Sequence, residues 1–258
     1  MKNMKEVAIV TGASSGLGLE FVKEFLKEYC LDEIWVVARN KKALSEAASL
    51  DPKRIKVFAL DLTKEADREE IFASLEKKKP NVRYLVNAAG VGYFGSAVEI
   101  PADKMMEMVN LNVIALTELT RRIIPFMKRD ATLFNISSIA SFIPLPYFSA
   151  YAATKAYVQS FTRALKVELL PLGISVTTVC PGWVSTPFLK KAVIGSEHTA
   201  SVFDGEADAA SVVKKAIRDA KKGRDVSIYG KTARMYFLLS KILPTHVMMR
   251  FWMLQQHF

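Results

Sequence analysis

Cysteine and histidine are scarce in this chain of 258 residues. The two cysteines, Cys30 and Cys180, are far apart and form no C-x-x-C pair, and the three histidines show no metal-ligand spacing. This scarcity excludes a disulfide framework and predicts that the protein has no metal site. Both cysteines stand in apolar sequence, so we expect them to be reduced core residues.

Long apolar runs are also lacking. The tail from Lys231 to the end is rich in apolar residues, but basic side chains interrupt it well short of the ~20 apolar residues that a spanning helix needs. These interruptions are Arg234, Lys241, His246 and Arg250. No apolar signal segment precedes the first predicted strand, and we therefore expect a cytoplasmic protein.

The positive charge is not concentrated in any one stretch. The formal net charge is +10, yet lysines alternate with acids, as at Lys23-Glu24 and Lys27-Glu28, without an aromatic and basic stripe. This distribution argues against nucleic acid as a partner and is explained by attraction to an anionic cofactor, or simply by solubility. Half of the residues are hydrophobic, as in an ordinary globular domain.

Strand-like and helix-like segments alternate along the chain, which predicts an α/β domain. Helical patterns cover 16–29, 64–79 and about 101–129, and a basic, apolar tail follows the last strand. Short apolar runs typical of strands lie at 7–10, 33–38, 55–60, 83–86, 131–136, 174–179 and 226–229.

A glycine-rich turn joins the first strand to the first helix. It reads Thr11-Gly12-Ala13-Ser14-Ser15-Gly16-Leu17-Gly18. Missing side chains let backbone amides approach a pyrophosphate at the helix N-terminus, which indicates a dinucleotide site. The alternative is a turn that serves packing alone.

The end of the second strand bears on the choice of cofactor. A carboxylate there would accept a hydrogen bond from the ribose 2′-hydroxyl of NAD, but the chain has Ala38, Arg39 and Asn40. Space and positive charge favour a 2′-phosphate, so we predict NADP(H) rather than NAD(H). Alternatively, Arg39 is a solvated loop residue and the protein accepts either cofactor.

Tyr151 and Lys155 stand one helical turn apart and share a helix face. A neighbouring ammonium favours the phenolate form, so Lys155 is expected to lower the pKa of Tyr151 toward a value useful in acid or base catalysis. Two amides, Asn110 and Asn112, interrupt the apolar face of the helical pattern at 101–129. At least one of them should belong to a structural or catalytic network.

Several of these features occur together in a characteristic order. They are Gly12, Gly16, Gly18, the N-A-A-G sequence at 87–90, Ser138 thirteen residues before Tyr151, Lys155, and Pro181-Gly182. In these motifs the chain resembles the classical short-chain dehydrogenases/reductases over about residues 5–230. The resemblance implies a single doubly wound (Rossmann) domain, 1–230, with seven parallel strands, helices on both faces, nicotinamide chemistry at the carboxyl ends of the strands, and a homodimer or homotetramer.

The resemblance also implies catalytic roles. Tyr151 would act as general acid during carbonyl reduction and as base in reverse, and Ser138 would bind the same substrate oxygen. Lys155 would bind the nicotinamide ribose and tune Tyr151. Asn112 matches the family asparagine that holds a water in the proton relay, with Asn110 as the alternative.

Cofactor contacts carry over in the same way. Ser15 stands where some NADP-type members have a basic residue, so the phosphate assignment rests on Arg39, Asn40 and nearby lysines. By chemistry alone, the sequence at 87–90 could equally serve sheet packing. The implied cofactor-binding residues are Gly12, Ser14, Ser15, Gly16, Leu17, Gly18, Arg39, Asn40, Asp61, Leu62, Asn87, Ala88, Ala89, Gly90, Tyr151, Lys155, Pro181, Gly182, Val184 and Thr186.

The expected substrate is a lipophilic carbonyl or alcohol. The variable loop at about 188–206 would decide specificity, and an apolar site is indicated by Tyr93, Phe94, Phe142, Phe148, Trp183 and Phe188. The loop at 142–148 could instead be a hydrophobic lip packed on its own domain. The 231–258 extension is expected to pack on the domain or a partner, with a flap over the substrate loop or a membrane-surface helix as alternatives.

Two rival functions remain open at this point. One is a nucleotide sensor that keeps the fold without catalysis, and the other is a membrane-surface module built on the tail. The complete set of Ser138, Tyr151, Lys155 and Asn112 argues against a sensor, because binding alone has no chemical need for these four groups together.

Overall fold

A computed structural model describes residues 4–193 and 206–256. A π-helical turn (Asn110–Ala115) lies between two of its helices. In chain order, the regular elements are β1 (Glu6–Thr11), α1 (Gly16–Phe25), β2 (Glu33–Ala38), α2 (Lys41–Ala48), β3 (Ile55–Ala59), α3 (Glu65–Lys78), β4 (Asn81–Asn87), α4 (Ala102–Val109), α5 (Leu116–Ile123), β5 (Thr132–Ile136), α6 (Ser149–Leu169), β6 (Ser175–Val179), α7 (Pro187–Ala192), α8 (Ala209–Lys221), β7 (Val226–Ser227), α9 (Lys231–Ile242) and α10 (Thr245–Gln256).

The seven strands form one sheet in the order β3-β2-β1-β4-β5-β6-β7, and every pairing is parallel. The predicted seven-stranded doubly wound sheet is therefore confirmed. The strand order reverses between β1 and β4, and the carboxyl ends of the strands at such a reversal form a crevice for ligands.

Alternate residues of each strand face opposite layers of helices. On one face, Val7 and Ile9 of β1 join a buried cluster with residues of α3, α5 and α6. On the other face, Ala8 and Val10 join a cluster with residues of α1, α2 and α8. Because both faces are covered, strands such as β2 are continuous apolar runs rather than alternating ones.

The structure corrects three sequence-based expectations. Helix α1 ends at Phe25, short of the predicted residue 29, and Cys30 beyond it is exposed rather than in the core, whereas Cys180 is buried as expected. The pattern at 101–129 is not one α-helix, because the π-helical turn separates α4 from α5.

The tail consists of two helices, α9 and α10, joined through Pro244, which cannot continue a helix. Within 4–193 and 206–256, no helix is both long enough and apolar enough to cross a membrane. Of the predicted substrate loop at about 188–206, the part at 194–205 lies outside the described residues.

Candidate active site

The glycine turn lies at the carboxyl end of β1, where the crevice opens. Gly12 has a φ of +66°, and an added Cβ would come within 2.8 Å of the Ala88 backbone. A Cβ on Gly18 would lie 2.3 Å from the Gly12 carbonyl oxygen. These contacts explain why the sequence needs glycine at both positions.

One cavity of about 480 Å³ runs from this turn to the N-terminus of α6. It brings together all of the predicted cofactor and catalytic residues except Asn87 and Asn112, which do not line it. Positions that are far apart in the sequence, such as Gly16, Asp61, Ser138 and Thr186, therefore line one cavity.

Tyr151 and Lys155 are both buried in α6, on the face that the sequence predicted. Lys155 Nζ lies 5.6 Å from the centroid of the Tyr151 ring and donates a 2.9 Å hydrogen bond to the Ile136 carbonyl. The Ser138 hydroxyl oxygen accepts a 3.1 Å bond from the Ala140 amide. All three side chains line the cavity.

The electrostatics of this cluster differ from the sequence-based expectation. Burial raises the pKa of Tyr151 well above its ordinary value, and a hydrogen bond with Ser138 only partly opposes the rise. Burial also lowers the pKa of Lys155 to about 8. Tyr151 is therefore a protonated phenol at neutral pH, which suits the donation of a proton.

The two asparagines outside the cavity wall have structural partners. Asn112 donates to the Val91 carbonyl (2.8 Å) and to Thr154 Oγ1 (3.1 Å), and it accepts from the Val91 amide (3.0 Å). The side-chain nitrogen Nδ2 of Asn87 donates to Thr120 Oγ1 at 2.9 Å and to Asn135 Oδ1 at 2.8 Å. In the structure, Asn112 thus holds the backbone beside the Tyr151 helix, and Asn87 joins β4 to β5.

Arg39 lines the cavity near the end of β2, but its guanidinium is paired. Its Nη1 lies 2.8 Å from Glu107 Oε1 of α4, and the same carboxylate accepts a 2.7 Å bond from the Tyr93 hydroxyl. Burial alone would raise the pKa of Glu107, but hydrogen bonds from Tyr93, Arg39 and Lys104 lower it, so the carboxylate is ionised. No sequence motif indicated this pair.

Asn40, predicted to contact the cofactor, has a second role. Its side chain accepts a 3.1 Å bond from the Ala43 amide and caps the N-terminus of α2. The residue still lines the cavity.

Apolar side chains form the end of the cavity beside Tyr151. Tyr93, Phe148, Trp183 and Phe188 line it as predicted, and the Phe148 ring stacks on Tyr151 at 4.3 Å. Two other predicted residues do not line it. Phe94 stacks at 4.0 Å behind Phe148, and Phe142 packs against Phe237 of α9 at 5.0 Å.

The sequence offered a flap over the substrate loop as one alternative for the tail, but it named no residue of the C-terminal helices as part of the site. Tyr236 of α9 and Trp252 and Gln255 of α10 line the same cavity. Trp252 Nε1 donates a 3.0 Å bond to the Pro146 carbonyl, which fixes α10 against the apolar loop. The only signal for this placement was the aromatic content of the tail.

The residues around the cavity fit a dinucleotide. Helix α1 begins at the glycine turn, and its N-cap residue Ser15 makes no side-chain capping bond, so the helix N-terminus can receive a phosphate. Asp61, Leu62, Thr186 and Lys155, which the sequence predicts as cofactor contacts, all line the same cavity. A bound dinucleotide would therefore extend from the glycine turn toward the catalytic side chains.

Comparisons with known proteins agree with this geometry. The sequence profile of the family described as short chain dehydrogenase matches residues 6–196. A very-long-chain 3-oxoacyl-CoA reductase from Anas platyrhynchos is 32% identical over 197 residues, which are 71% of this chain and 61% of that protein.

Two solved structures show the range of cofactors among similar proteins. A short-chain dehydrogenase from Sphingobium yanoikuyae in complex with NADPH superposes with a TM-score of 0.77 and 26% identity, covering 93% of this chain and 96% of the other. A 3-ketoacyl-(acyl-carrier-protein) reductase from Brucella melitensis complexed with NADH has a TM-score of 0.72 and 26% identity, covering 86% and 94%.

Proposed function

Because this chain belongs to the short-chain dehydrogenase family, we propose that it is an NADP(H)-dependent oxidoreductase that interconverts a lipophilic carbonyl and its alcohol. The family match and the neighbouring complexes support an oxidoreductase that uses a nicotinamide cofactor. One observation carries the finer proposal. A single cavity joins the glycine turn to Ser138, Tyr151 and Lys155, and it ends in an apolar compartment.

The bound cofactor supplies the hydride, and the chain supplies position and proton transfer. Tyr151, which is a protonated phenol at neutral pH, donates its proton to the substrate oxygen during reduction. Ser138 hydrogen-bonds the same oxygen and orients it toward Tyr151. Lys155 would hold the ribose next to the nicotinamide, and Asn112 fixes the backbone of Val91, which lines the same cavity.

The apolar compartment supports a lipophilic substrate. Phe148 and Phe188 lie 4.3 Å and 5.6 Å from Tyr151 by ring centroids, and Trp252 also lines the cavity. Such walls gain free energy by excluding water from an apolar substrate and offer little to a small charged one.

Turnover of NADPH with a panel of lipophilic aldehydes and ketones tests this function. Tyr151→Phe should lower kcat at least ~100-fold, because it removes the proton donor. Tyr157→Phe is the matched control, since Tyr157 lies in the same helix with its hydroxyl 3.0 Å from Thr117, on the surface. The proposal fails if Tyr151→Phe retains the activity of the control. Binding of NADPH without reduction of any carbonyl in the panel would contradict a lipophilic carbonyl as substrate and would favour the sensor hypothesis.

The preference for NADP(H) rests on Arg39. We expect Arg39→Ala to weaken NADPH binding about tenfold and to leave NADH binding unchanged, because only NADPH carries a 2′-phosphate for this guanidinium. Glu107→Gln removes the anion paired with Arg39 and should tighten NADPH binding several-fold relative to NADH. Titrations monitored by cofactor fluorescence measure both. Equal losses for both cofactors in Arg39→Ala would contradict the preference.

We also propose a homodimer or homotetramer located in the cytoplasm. Apolar side chains are exposed on and just after α6, at Val167, Leu170 and Leu172. A second copy would cover this face and remove apolar surface from water. Light scattering coupled to size exclusion should give two or four times the chain mass, and a monomer would contradict the proposal.

A further inference from the structure

The two C-terminal helices carry apolar side chains on two faces. Their inner faces pack on the domain through Tyr236, Met248 and Trp252, which are buried. Their outer faces are also apolar. In α9 the exposed side chains at spacing i, i+3 and i+7 are Met235, Leu238 and Ile242, and in α10 those at i, i+4 and i+7 are Val247, Phe251 and Leu254.

These exposed residues are contiguous on each helix rather than scattered. At 100° per residue, each set of three falls within one third or less of the helix circumference. Ile242 is 77% exposed and Leu254 is 76% exposed, so the stripes are not covered by the rest of the described chain. Isolated exposed apolar residues need no explanation, but a continuous apolar surface marks an interaction site.

The charges around the stripes have one sign. The sequence has no Asp or Glu after Asp225, whereas α9 and α10 carry Lys231, Arg234, Lys241 and Arg250. All four cations are exposed, and within the described residues none of them forms a salt bridge. In α9, the exposed cations border the apolar stripe on the same side of the helix. Their charge is therefore available to an anionic partner.

We propose that the outer faces of α9 and α10 dock on the surface of an anionic phospholipid bilayer. Apolar side chains bordered by cations that form no salt bridge within the described residues are the pattern of helices that lie in the headgroup region. A bilayer supplies both an apolar boundary for the stripes and negative charge for the cations. A second copy of this chain would bring the same four cations against one another, so charge complementarity favours the bilayer.

The position of the cavity gives this docking a consequence. Tyr236, Trp252 and Gln255 of the same helices line the substrate end of the cavity. Docking would hold that wall at the membrane, where a lipophilic substrate is concentrated. This consequence rests on the proposed function, whereas the docking does not.

Vesicle sedimentation with the full-length protein tests the docking without cofactor or substrate. Adding phosphatidylglycerol to phosphatidylcholine vesicles should raise the partition constant of the protein for the vesicles at least about tenfold, and high salt should reverse this increase. Lys241→Gln should weaken binding to the anionic vesicles about fivefold, since one cation is lost. Binding to pure phosphatidylcholine should not change in this variant.

The apolar contribution is tested with Ile242→Glu combined with Leu254→Glu, which should abolish vesicle binding. Val98→Glu is the matched control, because Val98 is 93% exposed and lies outside both helices. Melting temperatures and NADPH titrations show whether each variant is folded.

Three results would overturn the proposal. They are equal binding of the native protein to neutral and anionic vesicles, vesicle binding by the double variant equal to that of Val98→Glu, or a native oligomer that the double variant dissociates while no vesicle binding occurs. The last result would identify a second copy as the occupant. Because no turnover is measured, failure here leaves the reductase proposal untouched.

Discussion

At the scale of single residues, burial changes the pKa values of Tyr151 and Lys155 more than their four-residue spacing does. The four-residue spacing predicts a shared helix face, which the structure has. However, desolvation raises the pKa of Tyr151 and lowers that of Lys155, so it opposes the charged form of each group. The neighbouring ammonium therefore does not by itself make Tyr151 a phenolate.

Glu33 is a second buried ionisable residue, and its partners outweigh its burial. Burial alone would raise its pKa, but hydrogen bonds from Lys5 (2.6 Å), Trp35 (2.9 Å) and Lys78 (3.2 Å) hold the pKa at about 2, against an ordinary 4.5. The folded chain thus binds fewer protons at this site than the unfolded chain. The stabilisation is complete above pH 4.5 and is lost as the pH falls toward 2.

Glu33→Gln should lower the free energy of unfolding by about 2 kcal/mol at pH 7, because charge-assisted hydrogen bonds are lost. Exposure of Lys5 and Lys78 to solvent screens part of the interaction, which keeps the effect at this size. Urea unfolding at pH 7 and at pH 3 measures the difference, which should shrink at the lower pH. Glu20→Gln, at the exposed pair with Lys23, is the control. A difference that is the same at both pH values would contradict this account.

At the scale of elements, the π-helical turn Asn110–Ala115 decides which of the two asparagines faces inward. Asn112 is 1% exposed and makes three hydrogen bonds to Val91 and Thr154, whereas within the described chain Asn110 makes no side-chain hydrogen bond. Such turns often occur at functional sites. Here the turn ties the wall of the cavity to the helix that carries Tyr151.

Asn112→Ala should destabilise the protein by about 3 kcal/mol, since it leaves the Val91 amide and carbonyl without their partner. Asn110→Ala should change stability by less than about 0.5 kcal/mol. Chemical denaturation of both variants measures this, and kcat for NADPH oxidation should fall only in Asn112→Ala. Equal stability of the two variants would show that the Val91 bonds contribute nothing.

At the scale of the whole molecule, the C-terminal helices complete a hydrophobic cluster that is separate from the clusters on the two faces of the sheet. Tyr236, Met248 and Trp252 form a cluster with Phe94, Phe148 and Tyr151 at the apolar end of the cavity. The hydroxyl of Tyr236 donates to Gln255, which joins α9 to α10. The tail is therefore part of the apolar wall of the cavity and not an appendage.

Trp252→Ala should lower the free energy of unfolding by about 3 kcal/mol, because it removes a large buried side chain and leaves a void. It should also raise KM for lipophilic carbonyls more than it lowers kcat, since Trp252 lines the cavity away from the proton donor. Trp252→Phe keeps a ring and should retain most of the stability. If KM does not change in Trp252→Ala, α10 does not bound the substrate compartment.

Much of the fold and site could be predicted because the signals are local. Each of these signals depends on residues that are close together in the sequence, as in the strand runs, the glycine turn and the Tyr151-x-x-x-Lys155 spacing. Cys30 shows where this fails, since its apolar neighbours gave no sign that α1 ends at Phe25 and leaves it exposed. The Arg39 pair with Glu107 was equally hidden, because the two residues are 68 positions apart.

The sequence by itself determined the parallel sheet and the glycine turn after β1, and it predicted the candidate catalytic side chains, because backbone propensity and short spacings indicate them. The tertiary structure alone decided the protonation of Tyr151, the partner of Arg39 and the place of α9 and α10 over the cavity. Burial and long-range ion pairs depend on which distant segments meet. Composition and local spacing in the sequence do not indicate which distant segments come into contact.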